Sequence, residues 1–232
     1  MTILTLETAT DACSAAILRD GKVLTVQGEP LHRIQREKAE HAKMLPLMVD
    51  ELLALLKNAD GNGKIDAVAV SAGPGSYTGL RIGASVAKGL AYGLNVPLYA
   101  VPTLRTMAAQ AAAVYPDKLL CPMIDARRME VYAALYDAEL HELHPAEAVV
   151  VDEQSFADVL AAQKVCFFGN GAGKCKAVLQ HENAAFLDDI VPDAAFMDIT
   201  GCEPVDTAYW TPFYLKDYEA KKSVNKVLTA NQ

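Results

Sequence analysis

The segment Ile65–Pro97 constrains this chain more than any other. IDAVAVS is an apolar, partly β-branched run, AGPGSYTG is rich in glycine, and LRIGASVAKGLAYGLN carries apolar and small residues at helical spacing before Asn95 and Pro97 stop it. A strand that turns through glycines into a helix is the building unit of α/β folds. Glycines Gly73, Gly75 and Gly79 let the backbone approach something closely, and a helix N-terminus there offers free N–H groups to an anion. The simpler alternative is a tight strand-to-helix turn with Ser76 or Thr78 as N-cap.

The flanking sequence repeats this logic. ILTLETAT and CSAAIL read as strands, and RDGK between them and VLTV carries Asp20-Gly21, a strong hairpin signal. From Lys38 to Lys57 the spacing of Leu45, Met48, Leu52 and Leu56 predicts a helix, with Pro46 in its first turn or at a kink. LYAV and TLRTMAAQAAAVY predict another strand and helix. The second half alternates again: LLCPMIDA and EVYAALYD as strands, SFADVLAAQ a helix, KVCFFGN a strand, GKCKAVLQH a helix. A hairpin followed by strand–helix alternation, seen twice, predicts α/β with a mixed sheet in each half.

Within the helix that follows the glycine loop, Gly79, Gly83, Ala87 and Ala91 recur every four residues as a stripe of small side chains. Interior glycines weaken a helix, so this stripe is expected to pack closely, either on the chain's own sheet or on another molecule. GNGAGK at 169–174 has the wrong glycine spacing for a phosphate-binding P-loop and places Cys175 where Ser or Thr would hold magnesium, so it reads as a turn. His141 and His144 read as a solvated pair. In Asp125-Ala126-Arg127-Arg128-Met129-Glu130 the expectation is a hairpin turn with local Asp/Arg and Arg/Glu pairs.

Charge divides the 232 residues unevenly. Residues 1–102 hold 10 basic and 10 acidic side chains, whereas residues 103–232 hold 11 and 19 and so carry the whole net charge of −8. No Lys or Arg lies between Lys176 and Lys216, a poor surface for a phosphate backbone. That argues against a free-standing nucleic-acid binder. At 52% apolar residues the chain is expected to fold. Five scattered cysteines without metal-ligand spacing predict reduced core thiols. With no signal-like N-terminus and no uncharged run long enough to span a bilayer, the expected location is the cytoplasm.

LETATDACSAAILRDG, EHAKMLP, GPGSYTGLRIGASVAKGLA, DARRMEVY, FFGNG and FYLK occur in an order and spacing that resembles the bacterial TsaB (YeaZ) family, from Ile3 to Lys216. The region Asp193–Trp210 departs most, with Pro and Gly where a longer helix belongs. The resemblance implies an ASKHA fold (actin, sugar kinase, Hsp70) of two ribonuclease-H-like halves, residues 1–102 and 103–216, before a polar tail at 217–232. It implies a non-catalytic dimerisation subunit that activates its paralogue TsaD, with the ATPase TsaE, in transferring threonylcarbamoyl to a tRNA adenosine beside the anticodon. TsaD holds metal through an H-x-x-x-H pair, and Thr103 and Met107 stand at those positions here, a donor pair unfit for a first-row divalent ion.

The resemblance further implies an interface with TsaD, or with a second copy when alone, around His41, Leu45, Met48, Gly79, Leu80, Gly83 and Ala87. Glu7, Gly73, Gly75, Ser76 and Gly79 would form the remnant of a nucleotide loop. No intrinsic cofactor is implied: ATP or ADP and metal belong to the partners, and tRNA is met only indirectly. The rival readings are an ATPase or phosphotransferase using Glu7 and the 73–79 loop, and a glycoprotease-like metallopeptidase.

Overall fold

Asp20 and Gly21 both sit at positive φ (52° and 78°), the two left-handed positions of a type I′ turn. In the computed structural model, which describes residues 1–36, 40–115 and 117–216, this turn joins β2 (Cys13–Arg19) to β3 (Lys22–Val23). β1 (Thr2–Glu7) lies antiparallel to β2, with Leu4 opposite Ile17 and Leu6 opposite Ala15. VLTV does not return as one strand. β4 (Thr25–Val26) and β5 (Glu29–Pro30) form a separate ribbon around Gln27-Gly28, and β6 (His32–Gln35) then rejoins β2.

α1 (His41–Asp60) closes on Gly61, whose left-handed φ of 78° lets its N–H reach the Lys57 carbonyl. Pro46 falls inside the helix, beyond the first turn. β7 (Ala67–Gly73) runs parallel to β1 and β8 (Leu98–Pro102) parallel to β7, joined by α2 (Tyr77–Leu94). α1 and α2 bury Leu45, Leu52, Leu56, Ala87 and Ala91 on one face of this sheet against Leu4, Leu6, Ile17, Val68 and Val70. Strands covered on both faces explain the unbroken apolar runs seen in the sequence.

α3 (Thr103–Ala112) leads into the second sheet, made of β9 (Leu119–Asp125), β10 (Glu130–Tyr136), β11 (Glu142–Val150), β12 (Val165–Phe168) and β13 (Ala184–Leu187). Its order is β11-β10-β9-β12-β13, antiparallel from β11 to β9 and parallel from β9 to β13. The first sheet has the same plan: β3 or β6, then β2, β1, β7 and β8. Two sheets with one ribonuclease-H-like topology give the ASKHA architecture. Leu104, Met107, Ala108 and Ala111 of α3 pack on Leu120, Ile124, Tyr136 and Phe168 of the second sheet.

Three strands escape the sequence pattern. β11 is an exposed edge with Pro145 in it, β13 is only half buried, and β14 (Pro204–Val205) is very short. α4 (Ala157–Ala162) is shorter than SFADVLAAQ suggested, and α5 (Ala172–Cys175) shrinks to four residues of the expected GKCKAVLQH helix.

Residues 103–216 do not all stay with the second sheet. A 3₁₀ turn at Ala194–Phe196 returns to the first, where Thr5 Oγ1 donates to the Ala194 carbonyl (2.8 Å) and the Ala194 N–H donates to Ser14 Oγ (2.9 Å). Met197 joins Ile3, Ala67, Ala69 and Val101, and β14 pairs with β8. The polar tail at 217–232 lies outside the described residues. Among the described residues no helix is long and apolar enough to cross a membrane, and all five cysteines are free thiols, four of them buried.

Candidate functional site

The end of β1 meets the glycine loop, so Glu7 and residues 73–79 come together as expected. The Glu7 carboxylate is wholly buried. Its Oε1 accepts the Ala9 N–H (2.6 Å), while Oε2 has no hydrogen-bond partner among the described residues. Burial raises its pKa to about 7, against the opposing pull of hydrogen bonds from Ala9, Ser71 and Thr8, and the charge of Asp193 adds to the rise. Across the hairpin, burial and the Glu7 charge push the Cys13 thiol up to about 12.

What the glycines approach is the chain itself. A Cβ at Gly75 would stand 2.4 Å from the Ala9 carbonyl oxygen, one at Gly79 2.1 Å from that of Thr8, and one at Gly73 2.4 Å from that of Phe213. The Ser76 N–H donates to the Ala9 carbonyl (2.7 Å), Ser76 Oγ accepts from the Gly79 N–H (3.2 Å), and Thr8 Oγ1 donates to the Gly79 carbonyl (2.8 Å). Ser76, not Thr78, is therefore the N-cap. The backbone of Thr8 and Ala9 lies against the loop. Gly73, Gly75, Ser76 and Gly79 thus make a strand-to-helix turn packed on the end of β1. Thr8, Ala9 and Ser71 carry it, and nothing in their spacing announced them.

The small-residue stripe faces inward as well. A Cβ at Gly83 would meet Thr8 Oγ1 at 2.3 Å. Leu45, Leu80 and Ala87 have no exposed surface, while Met48 and Gly79 are buried. None of these six residues is exposed on the outer surface. His41, half-buried, donates from Nε2–H to the Thr10 carbonyl (2.8 Å) and so ties α1 to the β1–β2 loop. The outer face of the same two helices is a shallow groove lined by Ala42, Tyr77, Thr78, Arg81, Ile82 and Val86, and elsewhere on α1 Leu47 is 58% exposed.

In the second sheet, Asp125 pairs with Lys174, whose ammonium also donates to the Glu130 carbonyl, and Glu130 pairs with Lys216 (2.5 Å). Neither the Arg127 nor the Arg128 guanidinium pairs with these carboxylates, contrary to the expected local pairs; Asp125 Oδ1 instead accepts the Arg127 backbone N–H (3.0 Å). Asn170 Oδ1 accepts the Asp125 N–H (3.0 Å) and Gly171 donates to the Met123 carbonyl (3.0 Å), so GNGAGK is a turn that props up β9. The His32 ring contacts Asp193 (2.7 Å), a pairing with no sequence signal because 161 residues separate them.

Thr103 is buried, with Oγ1 accepting the Gly73 N–H (3.2 Å), and Met107 is enclosed in the second core. A hydroxyl engaged by the backbone and a packed thioether do not fit a divalent metal ion. Asp137, Glu139 and His141 bring ligand atoms within 4.8 Å of one another at the exposed β10–β11 turn, where His141 Nδ1 meets Asp137 Oδ2 (2.8 Å). The expected solvated pair is thus half right: His141 and His144 are both exposed, but His141 is tied to Asp137.

Residues 35–198 match the family model of TsaD, tRNA N6-adenosine threonylcarbamoyltransferase. The chain is similar to the tRNA threonylcarbamoyladenosine biosynthesis protein TsaB of Haemophilus influenzae, 38% identical over 132 residues (57% of this chain, 52% of that one). It is 37% identical to the Escherichia coli TsaB over 139 residues (60% and 56%). These two matches span about half the length of the relatives. The match to Bacillus subtilis TsaB is longer, 33% identical over 187 residues, covering 78% of this chain and 76% of that one. YeaZ from Pseudomonas aeruginosa has a similar structure, with a TM-score of 0.74 at 28% identity over 92% of this chain and 99% of that one. Duplicated topology, the 33% identity across most of both chains and the family-model match lead to one conclusion: this chain belongs to the TsaB (YeaZ) family.

Proposed function

We propose that this chain is a non-catalytic subunit in tRNA threonylcarbamoyladenosine biosynthesis, which binds TsaD and supports, together with TsaE, threonylcarbamoyl transfer to tRNA. The names of its relatives support the pathway. The observation that carries the scaffold reading is the chemistry at positions 103 and 107, a backbone-bonded hydroxyl and a core thioether where the catalytic paralogue has imidazoles. The close packing of the 73–79 glycines on the chain's own backbone supports the same reading against an ATPase built on that loop.

A subunit without chemistry of its own acts by binding one state of its partner better than another, and so shifting that partner toward the competent state. The surface we assign to this contact is the outer face of α1 and α2, with Leu47, Ile82 and Val86 supplying apolar area and Arg81 a charge. The buried residues behind it, from Leu45 to Ala87, hold the two helices in place. In the absence of TsaD the same face would meet a second copy. ATP or ADP and metal are assigned to the partner subunits, and the cytoplasm is the compartment such a pathway needs.

The test is reconstitution with TsaD, TsaE and tRNA, adding the chain, the Ile82→Arg variant or nothing. The wild-type chain should raise modification at least tenfold over its omission, and Ile82→Arg should lose most of that gain while unfolding at the wild-type temperature. Equal modification without the chain would refute the scaffold role. Robust ATP turnover by the isolated chain would favour the ATPase instead.

A further inference from the structure

We propose that the Arg127-Arg128 turn is a phosphate-binding point, through which this chain touches the backbone of its RNA substrate. The proposal rests on the tRNA reading above, and it narrows the expectation of purely indirect RNA contact to a single turn.

Backbone geometry is the first argument. Arg127 and Arg128 sit at φ 74° and 51°, consecutive left-handed residues joining β9 to β10. Two other turns of this chain that hold consecutive positive-φ residues place a glycine second, at Asp20-Gly21 and Gln27-Gly28. L-residues with long side chains are disfavoured there. Backbone strain of this kind persists where a side chain is needed in place, and an observed outlier is a fair starting point for assigning a role.

Charge is the second. The neighbouring carboxylates are already used, Asp125 by Lys174 and Glu130 by Lys216. Both arginines are exposed, and neither guanidinium has a hydrogen bond or ion pair with a described residue. Among the described residues of this cluster, four cations face two carboxylates. That local positive excess stands in the half of the chain that carries the whole net charge of −8.

Position is the third. The turn follows the carboxyl end of β9, which runs parallel to β12, and ligands of α/β sheets bind beyond the carboxyl ends of parallel strands. Lys216 reaches this turn from a segment whose Phe213 N–H is bonded to the Ala72 carbonyl beside the glycine loop (2.7 Å). The segment 213–216 therefore links this turn to the end of β7. Guanidinium forks match phosphate oxygens two at a time. Flanked by acidic surface, such a point suits one or two phosphates of an RNA otherwise held by a partner.

The experiment titrates labelled tRNA with the full chain by fluorescence anisotropy from 20 to 200 mM salt. It compares wild type, the double variant Arg127→Lys/Arg128→Lys, and Arg127→Asn/Arg128→Gly, which puts residues tolerant of positive φ at both positions. The Asn-Gly variant should melt at or above the wild-type temperature yet bind tRNA at least tenfold more weakly at low salt. Its log–log salt slope should flatten by one to two units, as expected for lost phosphate contacts. The Lys pair should keep most of the slope. Unchanged binding and slope in the Asn-Gly variant, or no wild-type binding at 20 mM salt, would overturn the proposal. So would sensitivity of ATP binding, but not tRNA binding, to the same change, which would make the phosphate a nucleotide's. Because the readout is binding by the isolated chain, its failure leaves the reconstitution result standing, and a failed reconstitution leaves this result readable.

Discussion

Glu7 is a wholly buried carboxyl in the first half whose charged form burial disfavours. Its carboxyl has a pKa of about 7 in the folded chain against 4.5 in the open, because burial disfavours the charged form and Oε2 lacks a partner. The folded state therefore holds a proton that the unfolded state releases, so stability must fall as pH rises from about 4.5 to 7 and then level off. At 1.36 kcal/mol per pKa unit the loss has a ceiling of about 3 kcal/mol. Urea unfolding at pH 5 and pH 8 should show that loss in wild type and little of it in Glu7→Gln, which keeps an acceptor for the Ala9 N–H. An equal pH dependence in both would assign it elsewhere. Glu7 was singled out in the sequence only through the family resemblance. Its complete burial was not legible there, because that depends on Ser71, Cys13 and Asp193 arriving from three other elements.

Along α2, glycines of one composition have opposite roles. Gly79 lies against the Thr8 carbonyl, whereas a Cβ at Gly89 would meet nothing within 4 Å. Gly79→Ala should cost about 1–3 kcal/mol or more by forcing the hairpin loop away. Gly89→Ala should gain about 0.5–1 kcal/mol, since it removes only the entropic penalty of a helical glycine. Thermal or chemical unfolding of the two variants checks both signs, and a neutral Gly79→Ala would mean that the loop yields. The four-residue spacing of the stripe was legible because it follows from helical geometry. Whether that face met another chain or its own sheet was open until Thr8 was seen beneath Gly83. The outward face of Leu47 and Ile82 was missed for the same reason: periodicity ranks residues by hydrophobicity, and the most apolar ones turned inward.

Across the described residues, one topology is built twice, and the segment 194–205 then returns to the first copy. Met197 is 2% exposed among Ile3, Ala67, Ala69 and Val101. Met197→Ala should therefore cost roughly 2–5 kcal/mol. A tryptic digest of the variant should open β1 and β7 before β10; protection of the first sheet would show that the return segment is dispensable. Pro192, Gly201 and Pro204 break every periodic pattern in this region, so nothing local tells which sheet it joins.

The hairpins, the strand-to-helix units and the duplicated α/β plan were determined by the chain's own pattern of glycines and apolar spacing, since turn geometry and side-chain periodicity act over a few residues. The tertiary structure alone decided what packs against the glycine loop, which side of α2 is covered, and which cations are left unpaired at Arg127 and Arg128. Each of these depends on residues tens to hundreds of positions apart meeting within a few ångströms, and no local pattern records such a meeting.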